Sequence, residues 1–464
     1  MLENRFLGDS ANHPLAREIY ETMRTYPILA PHGHVDSAML AANKNFANPV
    51  ELLIIPDHYI TRMLHSQGIS YDELGIPQSD GCRKSVTPEE VWRIFAANYH
   101  LFRSTPSRIW FQEILTTLFH IDEIPNSQNA ADIYQKIDEQ LQSPAFLPQA
   151  LFRRFNIEVL ATTDGTSDAL QAHRELATLE LGGRVIPTFR PDDVSDPQRP
   201  NWRLDLDLLS QSAGIPIESF ADLLRAIRLR REYFIHHGAT ATDHGVFSPQ
   251  TLKLSDSDRE QLFITVKSDS ATTQDFDNFR AVMLFEHARM AADDGLVMQL
   301  HPGSLRNYDQ KIFSRYGADR GFDIPTATTY AKELAPLLNE VGNHPNFRMV
   351  LFTLDESTYS RELAPLAGAY SGVRLGPPWW FNDSLNGLAR WRDAITETAG
   401  FYNTVGFIDD TRAFCSIPVR HDVARRFDAG YLAREVVRDR ITESEAYELA
   451  GDLAYNLSKK FFNF

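Results

Sequence analysis

Two histidines separated by one glycine, His32-Gly33-His34, follow the short apolar run 27–30. Residues i and i+2 of an extended chain point to the same side, so these imidazoles can face one divalent metal ion. The competing reading is a turn with two solvated histidines, because so short a pattern has little specificity by itself. Near the other end, the run 404–408 leads into Asp409-Asp410-Thr411-Arg412. Alternation lets only one of the two aspartates face inward, and Arg412 shares the parity of Asp410. Asp410 is therefore a candidate oxygen ligand or general base, with a helix cap as the alternative use. Three more runs end in useful chemistry: Phe189-Arg190-Pro191-Asp192, Thr242-Asp243-His244, and His301-Pro302-Gly303-Ser304-Leu305-Arg306. Each taken singly reads equally well as surface charge. Brought together, Arg190, Arg306 and Arg412 would receive a small anion, since a guanidinium meets a carboxylate with two parallel hydrogen bonds. Asp57-His58-Tyr59 offers proton-transfer groups or a helix surface, and Trp379-Trp380-Phe381 either lines a sugar pocket or packs the rim.

The elements that must position these residues are short, β-rich apolar runs at 27–30, 157–163, 184–189, 239–242, 296–300, 347–354, 372–375 and 404–408. Several are continuously apolar, as strands buried on both faces are. Helical patterns separate them, at 219–237, 277–294, 326–341 and 387–398. Eight strands alternating with helices predict a (β/α)8 TIM-type barrel, whose chemistry sits at the carboxyl ends of the strands. All the barrel candidates above lie at such ends. The spacing predicts three parts: 1–35, an N-terminal helix and first strand; 36–156, a mostly helical insertion; 157–464, the remaining barrel and C-terminal helices. A βα unit needs about 30 residues, so the insertion is surplus to the barrel. It starts where the first strand ends and is expected to cover the mouth as a lid. Residues 422–464 read as closing helices, including an amphipathic stretch at 443–459.

Composition bounds the function classes. The 464 residues are 43% hydrophobic and 23% charged, which argues against wholesale disorder. Lys and Arg number 46 against 62 Asp and Glu, a net charge of −16 that disfavours binding to nucleic acid or an anionic membrane. With only Cys82 and Cys415, neither a disulfide framework nor a four-thiolate metal site can form. No run of about 18 apolar residues and no signal-like start is present, so a soluble cytoplasmic enzyme is expected.

Together these motifs resemble the uronate isomerases of the amidohydrolase superfamily. The resemblance rests on His32-Gly33-His34, Asp57-His58-Tyr59, Phe189-Arg190-Pro191-Asp192, Thr242-Asp243-His244, the loop from His301 through Asn307 with Gly321-Phe322-Asp323 downstream, Trp379-Trp380-Phe381-Asn382-Asp383, and Asp410-Thr411-Arg412. It implies a distorted barrel of the metal-dependent hydrolase type that interconverts D-glucuronate with D-fructuronate and D-galacturonate with D-tagaturonate. It also implies one divalent metal, zinc, on His32, His34 and Asp410. His58, Tyr59, Arg190, Asp243, His301, Arg306 and Arg412 would surround the sugar acid, with Trp379 as an aromatic wall. Asp410 would be the base, assisted at oxygen by Tyr59 or Arg306. Partners are then a small anionic sugar acid and further copies of the chain, with no nucleic acid and no membrane. The sequence departs from the family pattern at Thr162-Thr163-Asp164-Gly165-Thr166, at Ile60-Thr61-Arg62 and at Leu354-Asp355-Glu356-Ser357. These positions bear on hydroxyl recognition and leave the metal and carboxylate ends intact. A metal-dependent hydrolase or decarboxylase on the same barrel stays open as the alternative, and a non-catalytic sugar sensor as a third reading.

Overall fold

The apolar runs become the strands β1 (Ile28–Ala30), β2 (Ile157–Ala161), β3 (Arg184–Ile186), β4 (Ala241–His244), β5 (Val297–Leu300), β6 (Met349–Leu351) and β7 (Val373–Leu375) in a computed structural model that describes residues 4–9 and 12–464. β1, β2 and β3 pair in parallel in that order, as do β4, β5, β6 and β7. Two-residue extensions join the halves: Asp164–Gly165 pairs with Phe189–Arg190, which in turn meets β4 at Phe189 and Thr242. The eighth position is reduced to a single parallel bridge from Thr404 to Leu375. Gly406 explains the shortness of that strand. Its φ of +76° leaves extended backbone, and a Cβ there would lie 2.7 Å from the Leu453 carbonyl oxygen. The ring closes where the His34 amide donates to the Thr411 carbonyl at 3.0 Å. The sequential, all-parallel order is that of a distorted (β/α)8 barrel.

β4 and β5 are buried at every position, although β4 carries Thr242, Asp243 and His244 and β5 carries Gln299. The long outer helices start where local capping dictates. Phe220–His236 opens on a Ser219/Asp222 capping box and Thr273–Asp294 on Thr272/Asp275, four residues earlier than its apolar pattern suggests. The expected helix at 326–341 is much shorter and begins at Ala335, with a proline in its first turn. Upstream of it, Glu362 accepts from the Tyr330 and Ala331 amides, which removes the need for helical partners there. The stretch 443–459 likewise divides, into Glu443–Gly451, a wide turn Asp452–Asn456, and Leu457–Phe462.

Between β1 and β2 the elements are helical, among them His58–His65, Pro88–Ala97, Pro106–Leu118 and Ala130–Leu141. Their core is aromatic: Trp92, Phe95, Tyr99, Phe102 and Phe111 are buried against one another. That cluster is continuous with Ile28, Ala30, Ile157 and Leu160, so the insertion packs directly on the β1–β2 side of the barrel. No helix among the described residues is long and apolar enough to cross a membrane.

Candidate active site

A cavity of about 850 Å³ opens at the carboxyl ends of the strands. His32, His34, His58, Tyr59, Arg190, Asp243, His301, Arg306, Trp379, Asp410 and Arg412 all line it. The grouping follows from the fold. β1, β4, β5 and the vestigial eighth strand each deliver the residues at and just beyond their ends, and the helix His58–His65 brings its first turn over them. Asp57 fixes that helix by accepting from the Tyr59 amide at 2.9 Å.

At the floor, the Nε2 atoms of His32 and His34 approach the same Asp410 oxygen at 3.3 and 3.2 Å. Asp410 faces inward, while Asp409 turns away to His421. The compact donor set differs in one member from the triad implied by the resemblance. His32, His301 and Asp410 each present a ligand atom within 4.8 Å of the others, so His301 stands with the metal-binding group. His301 is stacked on His32 at 4.5 Å, and its Nδ1 is held by Asp243 at 2.8 Å. That leaves His301 Nε2 buried with no partner, and His32 Nδ1 is buried and unpartnered too. Unpaired buried imidazole nitrogens beside a carboxylate are what a divalent cation would satisfy. The residues therefore fit a metal, and Asp243 orients one of its imidazoles from behind.

The electrostatics agree. Burial alone would push Asp410 up, but His32 and His34 hold it well below the ordinary carboxylate range. Burial would lower His32, yet Asp410 and Asp243 outweigh it and raise that imidazole. His34 and His301 are both lowered, by burial first, and are neutral as ligands must be. His58 falls to about 3 through burial and the nearby Arg412. Burial lifts the Tyr59 hydroxyl well above its usual value, so it stays a proton donor.

The three arginines differ in freedom. Arg190 is engaged twice, by Asp192 at 2.7 Å and Asp243 at 3.1 Å. Arg306 is held by Asp323 at 2.8 Å and lies over Trp380 at 5.3 Å. Among the described residues Arg412 is paired with Asp319 alone, at the long distance of 3.7 Å. Trp379 is buried edge-on to His301 at 4.8 Å, serving as wall and packing at once. Asp319 and Arg420 are among the lining residues that escaped the sequence reading. Asp319 sits in an irregular loop and left no pattern. Arg420 did leave one, since it shares a helix face with Ile417 and Ala424, both buried.

Residues 1–462 match the family model described as glucuronate isomerase. The uronate isomerase of Xanthomonas euvesicatoria is 49% identical over 98% of this chain and 97% of its own. Among solved structures, glucuronate isomerase from Caulobacter crescentus superposes with a TM-score of 0.98 at 46% identity, covering 100% of this chain and 97% of that one. Uronate isomerase from Thermotoga maritima follows with a TM-score of 0.93 at 26% identity, over 100% and 99% of the two chains. With near-complete coverage on both sides, the chain belongs to the glucuronate (uronate) isomerase family.

Proposed function

We propose that the chain isomerises hexuronates between aldose and ketose, D-glucuronate to D-fructuronate and D-galacturonate to D-tagaturonate, by proton transfer through a cis-enediol. The observation that carries this reading is the convergence of an ionised Asp410, a protonated Tyr59 and the arginines in one cavity, in a chain of this family. Arg412 and Arg306 take the C6 carboxylate and neighbouring oxygens, being the less committed guanidinium groups. Arg190, already shared by two carboxylates, keeps Asp243 in place against His301 and contributes to the wall.

His32 and Asp410, with the imidazoles of His34 and His301 beside them, would hold a divalent ion, and the nitrogen-rich donor set suits zinc. When bound, such an ion polarises the substrate's carbonyl and hydroxyl oxygens. Asp410 accepts the proton from C2 while Tyr59, its phenol neutral, gives one to O1. The cis-enediol so formed then loses the O2 proton back to Tyr59 as Asp410 returns its proton to C1, which leaves the ketose and restores both groups. Arg306 stabilises charge developing on oxygen. His58, kept neutral, faces the substrate without adding charge. Trp379 closes the wall behind His301.

The free thiols of Cys82 and Cys415 support a cytoplasmic enzyme, and a homo-oligomer belongs to the same reading, checked by light scattering. The deciding experiment incubates the purified protein with each sugar, before and after chelation, and follows ketose formation. In deuterated water, the isomerase incorporates carbon-bound deuterium without releasing carbon dioxide or a hydrolysis product. No ketose from either sugar would sink the assignment. Among the described residues no lysine lines the cavity, which leaves the hydrolase alternative without the bridging group of a two-metal centre.

A further inference from the structure

Asp410 carries the site, yet its backbone is unusual. Its φ of +37° is left-handed, a conformation that non-glycine residues rarely adopt and that persists only where the surroundings impose it. Its neighbour is where the surroundings take hold. The Asp409 carbonyl accepts from Arg420 Nη1 at 2.8 Å, and the Asp409 carboxylate meets His421 Nε2 at 3.0 Å. Adjacent residues of the helix Ile417–Val437 thus grip one residue by main chain and side chain. All three are buried, at 1–4% exposure.

Arg420 is itself braced from two other parts of the chain. The same Nη1 donates to Asp383 at 3.0 Å, in the loop after β7, and its guanidinium lies 3.7 Å over the Trp110 ring of the insertion. The Tyr59 ring is 6.0 Å away. Insertion, β7 loop and closing helix therefore meet at the residue preceding Asp410. Neither Arg420 nor His421 is part of the donor set around Asp410.

We propose that Arg420 and His421 are positioning residues for Asp410: by clamping Asp409 at its carbonyl and its carboxylate, they impose the left-handed turn that sets the Asp410 carboxylate between His32 and His34. This rests on the reading of Asp410 as metal ligand and base. Loosening the clamp lets the turn relax, which moves the carboxylate without removing it. Both metal affinity and the proton-transfer step then suffer, while sugar-acid binding through Arg412 and Arg306 does not. Groups that orient metal ligands from behind are worth about 10- to 100-fold in affinity or activity.

The test uses the full-length protein and three variants, His421→Phe, His421→Gln and Arg420→Met. Divalent-ion affinity is measured by equilibrium dialysis with zinc alone, and kcat and KM with the preferred uronate. Expected are losses of about 10- to 100-fold in zinc affinity and kcat for His421→Phe and Arg420→Met. KM should stay within about twofold, and His421→Gln, whose amide can reach Asp409 as Nε2 does, should recover most of the loss. Zinc affinity and kcat unchanged in both disruptive variants would overturn the clamp. So would a lower thermal midpoint with normal kcat per folded molecule, or no recovery in His421→Gln. Because zinc affinity is read without substrate, a wild type that makes no ketose would end the isomerase reading while still deciding this one.

Discussion

The two ends of the barrel are built from opposite materials. At the carboxyl mouth, His32, Asp243, His301 and Asp409 are buried charges or imidazoles, and several of their atoms lack any partner. Non-glycine backbone with positive φ occurs there at Asn307, Asp319, Trp380 and Asp410, against Asn463 at the other end. At the amino end, the last residues of the chain form an apolar plug. Phe462 is fully buried among Ala241, Val297, Val350 and Val405, and Phe464 packs on Leu29, Val159 and Ile186. The rings of Phe462 and Phe464 stack at 5.5 Å, and Arg348 ties the Phe461 carbonyl at 2.6 Å. The difference separates two tasks: the plug holds the strands together, and the mouth places groups where stability alone would not put them.

That division predicts opposite phenotypes. Asp410→Asn should lower kcat by about 10³-fold or more, the range for loss of a positioned proton acceptor. Asparagine tolerates the left-handed backbone, so the thermal midpoint should move by no more than about 3 °C. Retained turnover would remove Asp410 from the chemistry. Phe462→Ala should do the reverse: a loss of about 3–5 kcal/mol in urea unfolding, with kcat per folded molecule unchanged. A kinetic defect in folded Phe462→Ala would break the separation of the two ends.

The same contrast explains what the sequence disclosed. Strands buried on both faces leave continuous apolar runs, so β2, β5 and β6 were legible, and the strand ends then named the mouth. Of the compact group His32, His301 and Asp410, the sequence singled out His32 and Asp410 as ligand candidates and left His301 among the groups around the sugar. Strand parity pairs His32 with His34, whereas the membership of His301 depends on curvature of the sheet, which brings β1 and β5 ends together across the barrel. The eighth strand was overread because nothing in its apolar character announces that Gly406 must turn away from Leu453. Helix 326–341 was overread because Glu362, which satisfies its first amides, lies far along the chain. Arg420 lies just before the stretch read as closing helices, and only packing shows it reaching three other segments.

Within the mouth, the arginines can be told apart by their commitments. Arg412, whose one carboxylate lies 3.7 Å away, is free to receive the substrate. Arg412→Met should raise KM about 10- to 100-fold, the equivalent of a charge-assisted hydrogen bond of about 1.5–3 kcal/mol. Arg190→Met should instead lower kcat more than it raises KM, since its partners are Asp243 and Asp192 rather than the open cavity. Steady-state kinetics on the two variants side by side decide this, and identical profiles would refute the distinction.

The smallest expected effect concerns the rim of the mouth, where polar groups are buried outside the donor set around Asp410. Asp164, at the end of the β2 extension, accepts from the Thr162 hydroxyl at 2.7 Å, and His173 bonds the same hydroxyl at 2.8 Å. Burial pushes the Asp164 carboxyl from 3.8 up to about 7, with the Thr162 hydrogen bond opposing. Between those two values the folded protein holds a proton that the unfolded chain releases. The stabilisation is complete below 3.8 and is lost as pH rises toward about 7. Asp164→Asn keeps an acceptor for Thr162 and cannot ionise, so it should gain stability relative to the wild type as pH rises. Urea midpoints of the two proteins at pH 5 and pH 8 measure the gain. Parallel shifts would show that Asp164 titrates normally and that the polar rim carries no such cost. A divergence would show that the mouth gives up stability even at a residue outside the donor set around Asp410, as the plug at the other end does not.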